Sequence, residues 1–249
     1  MNRRQGCLHL LLIILVCGTI SGCTHLVTPQ LIEPIPASPW QNTASIQWHK
    51  VKFKIAWPED EQPSWHLDAL IAHQVIAPIL QEYKTSIPLW RFHRRASKDA
   101  TGHQFSFMFY ADNQQAKLIQ HQLVTNSLLV ELVASQWVRI LDASDVETAT
   151  LQPIAATSDK TWPPIIQQAW PHYIMGVSAF WLDLIDRQTR QSPLTAPDDL
   201  SDILAYYQQQ HDQITLLWQE HGQHALLHHL NALFAYQPLH IIEHRLLRY

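Results

Sequence analysis

From residue 46 onward the chain alternates apolar and charged positions. Val51, Phe53, Ile55 and Trp57 interleave with Lys50, Lys52 and Lys54, the period-two pattern of a half-buried strand over 46–57. Leu67, Leu70, Ile71, Val75, Ile79 and Leu80 then recur at helical spacing. They predict a helix over 64–83, with Ser64 as N-cap, Asp68 in the first turns and a kink or early end at Pro78. Trp90 and Phe92 alternate with Arg91, His93 and Arg95, predicting a second strand over 88–95. A turn over 98–102 leads to a third strand over 103–110, with Phe105, Phe107 and Phe109 on one side. Leu118, Ile119, Leu123, Leu128, Leu129 and Leu132 mark one long helix over 113–135, and Val138 and Ile140 a fourth strand over 136–141.

The order β-α-β-β-α-β predicts an α+β domain over 46–150, a ferredoxin-like split βαβ sandwich with two helices covering one face of an antiparallel sheet. Beyond it, 151–249 reads as a helical region packed on that domain. Helices are expected over 171–187, over 198–221 with Gly222 as C-cap, and over 223–236, with a short terminal piece after Pro238. Prolines 153, 163, 164, 193 and 197 mark the linkers.

The N-terminus has a different pattern. Arg3 and Arg4 precede an apolar run from Cys7 through Val16, and Ile20-Ser21-Gly22-Cys23 follows. A charged start, a short apolar core and small residues before a cut mark an export signal. The four residues ISGC resemble the lipobox of bacterial lipoprotein precursors. That resemblance implies a signal peptide over 1–22, cleavage before Cys23 and a diacylglyceryl group on the Cys23 thiol, with acylation of the new amine. Thr24, in place of an aspartate, implies the outer membrane. Residues 23–45, with Pro29, Pro34, Pro36 and Pro39, read as a Pro-rich tether. The runs Trp65–Leu80, Trp90–Ala96 and His103–Tyr110 are also similar to the C-terminal domain of lantibiotic-dehydratase-like proteins, without a diagnostic motif. No residue role carries over from them.

Composition narrows the chemistry. Ten tryptophans imply a substantial core. Of 17 Lys+Arg, Arg3 and Arg4 fall in the signal, so 15 face 21 Asp+Glu, a net of −6 with neutral His. This argues against general nucleic-acid binding. The three cysteines are Cys7, Cys17 and Cys23. A folded part without a free thiol excludes thiol catalysis, Cys-zinc sites and iron–sulfur clusters. Glycine-rich nucleotide loops and nucleophile elbows lack their motifs.

Three groups of residues remain. The strand alternation assigns Lys50, Lys52, Lys54, Arg91, His93, Arg95 and Arg139 to the sheet face opposite the aromatic core. Clustered charge there suits a phosphorylated headgroup, lipopolysaccharide, anionic glycan or acidic partner protein. Two other readings stand beside it: a face kept basic against edge pairing, or one covered by the C-terminal helices. His224 and His228 are four apart, and His221 joins them if the helix continues through Gly222. Such spacing suits Zn or Cu. Among carboxylates, Asp198, Asp199 and Asp202 suit the positive end of a helix, and Asp183 and Asp186 a polar helix side.

The sequence reads as a lipid-anchored envelope lipoprotein, a non-enzymatic accessory or binding component at the periplasmic side of the outer membrane. It carries no cofactor beyond the covalent lipid. A His-based metal-binding lipoprotein and an envelope hydrolase acting on peptidoglycan or lipid are the alternatives.

Overall fold

Strand β1 (Ile46–Ile55) turns Val51, Phe53 and Ile55 into the core and the intervening lysines away from it. This computed structural model describes residues 46–143 and 153–238, apart from Ala196 and Asp198. The signal peptide, the tether with Cys23, the boundary near residue 150 and the piece after Pro238 lie outside the described residues.

After β1 come helix α1 (Trp65–Leu70), a π-helical segment (Ile71–Ile76) and α2 (Ala77–Glu82), forming one run. Pro78 neither breaks nor shortens it. The proline ring crowds the carbonyl four residues back and offers that carbonyl no N–H. The widened π turn immediately before it takes up the misfit. Strands β2 (Leu89–Ser97) and β3 (Gly102–Asp112) form a hairpin.

The predicted helix over 113–135 is two helices, α3 (Asn113–Val124) and α4 (Ser127–Ala134). Ala116, Ile119 and Leu123 are buried in α3. A straight continuation would bury Asn126, Ser127 and Val130. The apolar residues are instead Leu129 and Leu132, out of phase, so the chain breaks at Thr125–Asn126 and restarts. The Asn126 side chain caps the new helix by accepting from the Leu129 N–H at 3.1 Å, and Val130 is exposed. Leu118, expected in the buried stripe, is exposed too. Helix α4 ends in a Schellman turn: Trp137 N–H donates to Leu132 O and Gln136 N–H to Val133 O. Gln136 takes φ 63° there, which places it in the turn rather than in β4 (Val138–Ala143).

The sheet order is β2-β3-β1-β4, every neighbouring pair antiparallel. Phe53 pairs with Phe105 and Val51 with Phe107 across β1 and β3. Phe105, Phe107 and Phe109 are fully buried. Each such side chain contributes on the order of 1.5–3 kcal/mol through its burial. The fold is α+β, a four-stranded antiparallel sheet with helices and a mostly helical C-terminal part.

That part begins with a 3-10 turn (Ile154–Thr157) and α5 (Pro164–Gln191). Helix α5 starts seven residues before the expected one, because Pro171 is accommodated inside it. The Gln167 carbonyl, which Pro171 leaves without an N–H, accepts from Ser158 Oγ at 2.7 Å. Helix α6 (Leu200–Gly222) is capped by Asp199, which accepts from the Ser201 and Asp202 N–H groups. Gly222 does not end it. With φ −58° it is helical, and the run continues as a π segment (Gln223–His228) and α7 (His229–Leu233). A Cβ at Gly222 would lie 2.7 Å from the Trp218 ring, so glycine is present for close approach.

Helix α5 covers the free edge of β2, and the Phe92 N–H donates to Ser178 Oγ at 3.0 Å. Ile185, Tyr207 and Ile214 enter the core cluster built on the sheet. The sheet and the described C-terminal helices accordingly belong to one unit. Among the described residues no helix is long and apolar enough to cross a membrane.

Loss of the cap between α3 and α4 gives the first test. Asn126→Ala should lower stability by about 1 kcal/mol, and Asn126→Gly by only a few tenths. Equilibrium urea denaturation measures both. Equal, negligible losses would contradict the break as a capped junction.

Candidate functional site

The register assembles the basic residues in rows on the sheet face away from the main core. Lys54 pairs with Gln104, which pairs with Arg95. Lys52 pairs with Ser106, then His93, and Lys50 with Met108, then Arg91. Arg139 is opposite Lys54 on β4. Strands lie about 4.8 Å apart, so the β1 and β2 cations flank a narrow strip of β3. All seven expected residues therefore share one face.

They are not equally available. Beyond the Lys50 row, Trp48, Leu89 and Tyr110 form a small apolar cluster against Ile154 and Met175. Trp48 Nε1 donates to Ile154 O at 2.9 Å. That cover extends to Arg91, whose Nη1 donates to Thr157 O at 3.2 Å and whose pKa burial lowers. Lys54 Nζ donates to Ala100 O, and Arg95 pairs with Asp99. Lys50 and Lys52 are half-buried, each with contacts of its own. His93, Arg95 and Arg139 are exposed. The imidazole of His93 is held below its ordinary pKa, first by burial and then by Arg91, Lys50 and Arg95. Arg91, Lys50 and Arg95 thus each disfavour a proton on His93.

A second polar constellation, absent from the sequence reading, lies on the opposite face. Asp68 is fully buried and accepts from Arg94 Nε at 2.8 Å. His103 Nε2 lies 3.1 Å from Asp68 Oδ1 and 3.2 Å from Oδ2. Arg94 Nη2 donates to Trp65 O. The guanidinium sits 4.8 Å from the Trp65 ring centre and 4.7 Å from that of Trp181. His66 and His211 lie nearby, both with pKa lowered chiefly by burial. The alternation that sends Arg91, His93 and Arg95 outward sends Arg94 inward with Phe92. A charged residue on the apolar side of a strand is the signal that a buried partner exists.

The histidine expectation is rearranged. His224 and His228 stack with ring centres 5.2 Å apart, and the third ring beside them is His229, 5.5 and 5.3 Å away. His221 Nε2 is instead 3.6 Å from Glu220 Oε2. The π turn places residue i+5 beside residue i, whereas an α-helical count selects i+3 and i+4. Among the described residues no group of three His, Cys, Asp or Glu is arranged to hold a metal ion. Asp183 and Asp186 pair with Arg187 and Arg190 one turn on.

No known protein-family profile matches this chain. No curated protein matches it either. The crystal structure of TsrL is similar over 60% of this chain and 37% of that one, with 14% identity and a TM-score of 0.36. The chain thus spans well under half of TsrL, and so weak a likeness carries no argument about fold or function.

The buried histidines set a pH dependence. His49, His66, His73 and His211 all titrate below an ordinary imidazole, burial being the largest cause in each. The unfolded chain protonates these groups near pH 6.5, the folded chain only at lower pH. Their contribution is therefore fully present above about pH 6.5 and lost as pH falls below it. The thermal midpoint should drop between pH 7.5 and pH 5.5. A midpoint that rises on acidification would contradict the assignment.

Proposed function

We propose that this chain is a lipid-anchored bacterial envelope lipoprotein, a non-enzymatic binding component held through Cys23 at the periplasmic side of the outer membrane. The observation carrying the anchor is the N-terminal pattern of Arg3, Arg4, a short apolar run and ISGC. Each buried CH₂ of the lipid contributes about 0.8 kcal/mol, and two or more chains make anchoring stable. We further propose that the sheet and its crossings form a ferredoxin-like split βαβ sandwich. The strand order β2-β3-β1-β4, with helical crossings after β1 and β3, supports that reading.

The working surface in this proposal is the basic sheet face, and its ligand is an anionic group of an envelope component. The strand register that gathers Lys50, Lys52, Lys54, Arg91, His93, Arg95 and Arg139 on one sheet face carries the reading. An anion bound there would offset the repulsion between cations and raise the His93 pKa.

Two experiments test the two halves separately. Cys23→Ala should abolish incorporation of labelled palmitate and leave the precursor uncut. Undiminished labelling would end the lipoprotein reading. For the sheet face, His93→Glu combined with Arg95→Glu places two carboxylates at exposed positions. In-cell crosslinking and mass spectrometry should then recover at least tenfold less of the envelope component that the native chain captures. Unchanged recovery would mean that the face is only solvated.

A further inference from the structure

Two cavities run end to end between α5 and the helical run that starts as α6. One measures 330 Å³ and is lined by Arg94, Trp181, Leu184, His211 and Ile214 among others. The other measures 550 Å³ and is lined by Tyr173, Gly176, Leu227, Leu230 and Leu233 among others. Val177, Phe180, Trp218 and Leu226 line both, so the two form one groove. Val177 is 44% exposed, Phe180 42%, Trp218 53% and Leu227 54%. A contiguous apolar surface of this kind marks an interaction site rather than the scattered exposure of ordinary surfaces.

Both helical glycines of the C-terminal part serve this groove. Gly222 lets the Trp218 ring lie flat across the helix as a wall. Gly176 sits mid-helix in α5, where glycine weakens the helix relative to alanine. A Cβ at Gly176 would meet nothing within 4 Å. Among the described residues no neighbour demands its small size, and a larger side chain there would project into the larger cavity. The groove is also polarised. Its one fixed cation among the described lining residues is Arg94, held between two tryptophans with Nε on Asp68 and Nη2 on Trp65 O. Arg94 Nη1 makes no hydrogen bond among the described residues, and it shares that end of the groove with His211. A long apolar trough ending at a rigid guanidinium matches one ligand shape: a hydrocarbon chain with an anionic head.

We propose that this groove binds a fatty acid, its acyl chain lying between α5 and α6–α7 and its carboxylate at Arg94 and His211. Cavity size and apolar lining account for the chain. Arg94, oriented by Asp68, accounts for the head. Chain length is read along α5: Tyr173 and Leu184 are eleven steps apart, about 16 Å at the helical rise. The site is independent of the proposed anchor and of the sheet face.

The test uses the full-length chain in cells fed a photoreactive fatty acid, with adducts mapped by mass spectrometry. Adducts should appear on peptides from 164–191 and 200–238. Gly176→Phe should reduce them at least tenfold by filling the larger cavity, while Gly176→Ala keeps them. Leu227→Glu, at an exposed position, should reduce them as well by placing a carboxylate in the path of the chain. A probe of equal length with a trimethylammonium head should give few or none. Labelling unchanged in both Gly176→Phe and Leu227→Glu, or equal labelling by the cationic probe, would overturn the proposal. Metabolic label at Cys23 falls on a different peptide, so the anchor and the groove succeed or fail separately.

Discussion

The arrangement turns on Arg94. Its guanidinium is ion-paired with the fully buried Asp68 of α1 and sandwiched between Trp65 of α1 and Trp181 of α5. One side chain of β2 thus joins the sheet, the first crossing helix and the C-terminal helices. Trp181 also packs edge-on to Phe92 and Phe105, which carries the contact into the aromatic core. Desolvated cation–π contacts contribute on the order of 2 kcal/mol each. Removal of one partner from a buried ion pair costs about 3–5 kcal/mol, because the other charge is left stranded. A well-packed apolar replacement of the whole cluster would stabilise comparably. What the charges add is specificity: Asp68 and His103 accept one placement of β2 against α1.

That placement fixes the outer face. Side chains along a strand alternate, so a one-residue slip of β2 would carry Arg94 outward and His93 and Arg95 into the core. The Arg94–Asp68 pair and the Phe92–Ser178 hydrogen bond both oppose the slip. The cations around His93 are therefore aligned by contacts made on the other side of the sheet. Helix α5 contributes twice, sealing the β2 edge and supplying Trp181. The C-terminal helices are part of the fold that sets the sheet's register, since Ile185, Tyr207 and Ile214 lie in the same core as Phe105 and Phe107.

Much of this was legible in local patterns. Period-two alternation located all four strands, and the parity of Lys50, Lys52 and Lys54 put them on the face they occupy. Asp199 and Asp202 announced the start of α6. What escaped depended on partners distant in sequence or on departures from 3.6 periodicity. Pro171 reads as a helix boundary until Ser158, thirteen residues earlier, supplies a donor for the Gln167 carbonyl. Gly222 reads as a C-cap until Trp218 is seen to lie across it. The break at Asn126 was visible as a phase shift between Leu123 and Leu129, and counting apolar residues without their phase hid it. The π turn after Gly222 exchanged His229 for His221, because i+5 contacts are not part of an α-helical count. Arg94 shares the parity of Trp90 and Phe92, a signal the sequence reading left unused, and nothing local names Asp68 as its partner.

Strand β2 connects the two surfaces that the proposals use. His93 and Arg95 point to the basic face, and Arg94 points into the end of the apolar groove. Under both proposals, alternation along three consecutive residues serves two different ligand chemistries on opposite sides of one strand. The apolar side is energetically the more demanding of the two. Exposed cations are well solvated and cost little when empty, whereas hydrocarbon surface left in water costs on the order of 25 cal/mol for each Å². Covering Phe180, Trp218 and Leu227 would recover much of that cost. A helix selected for stability alone would favour alanine at Gly176, where a Cβ would meet nothing within 4 Å among the described residues.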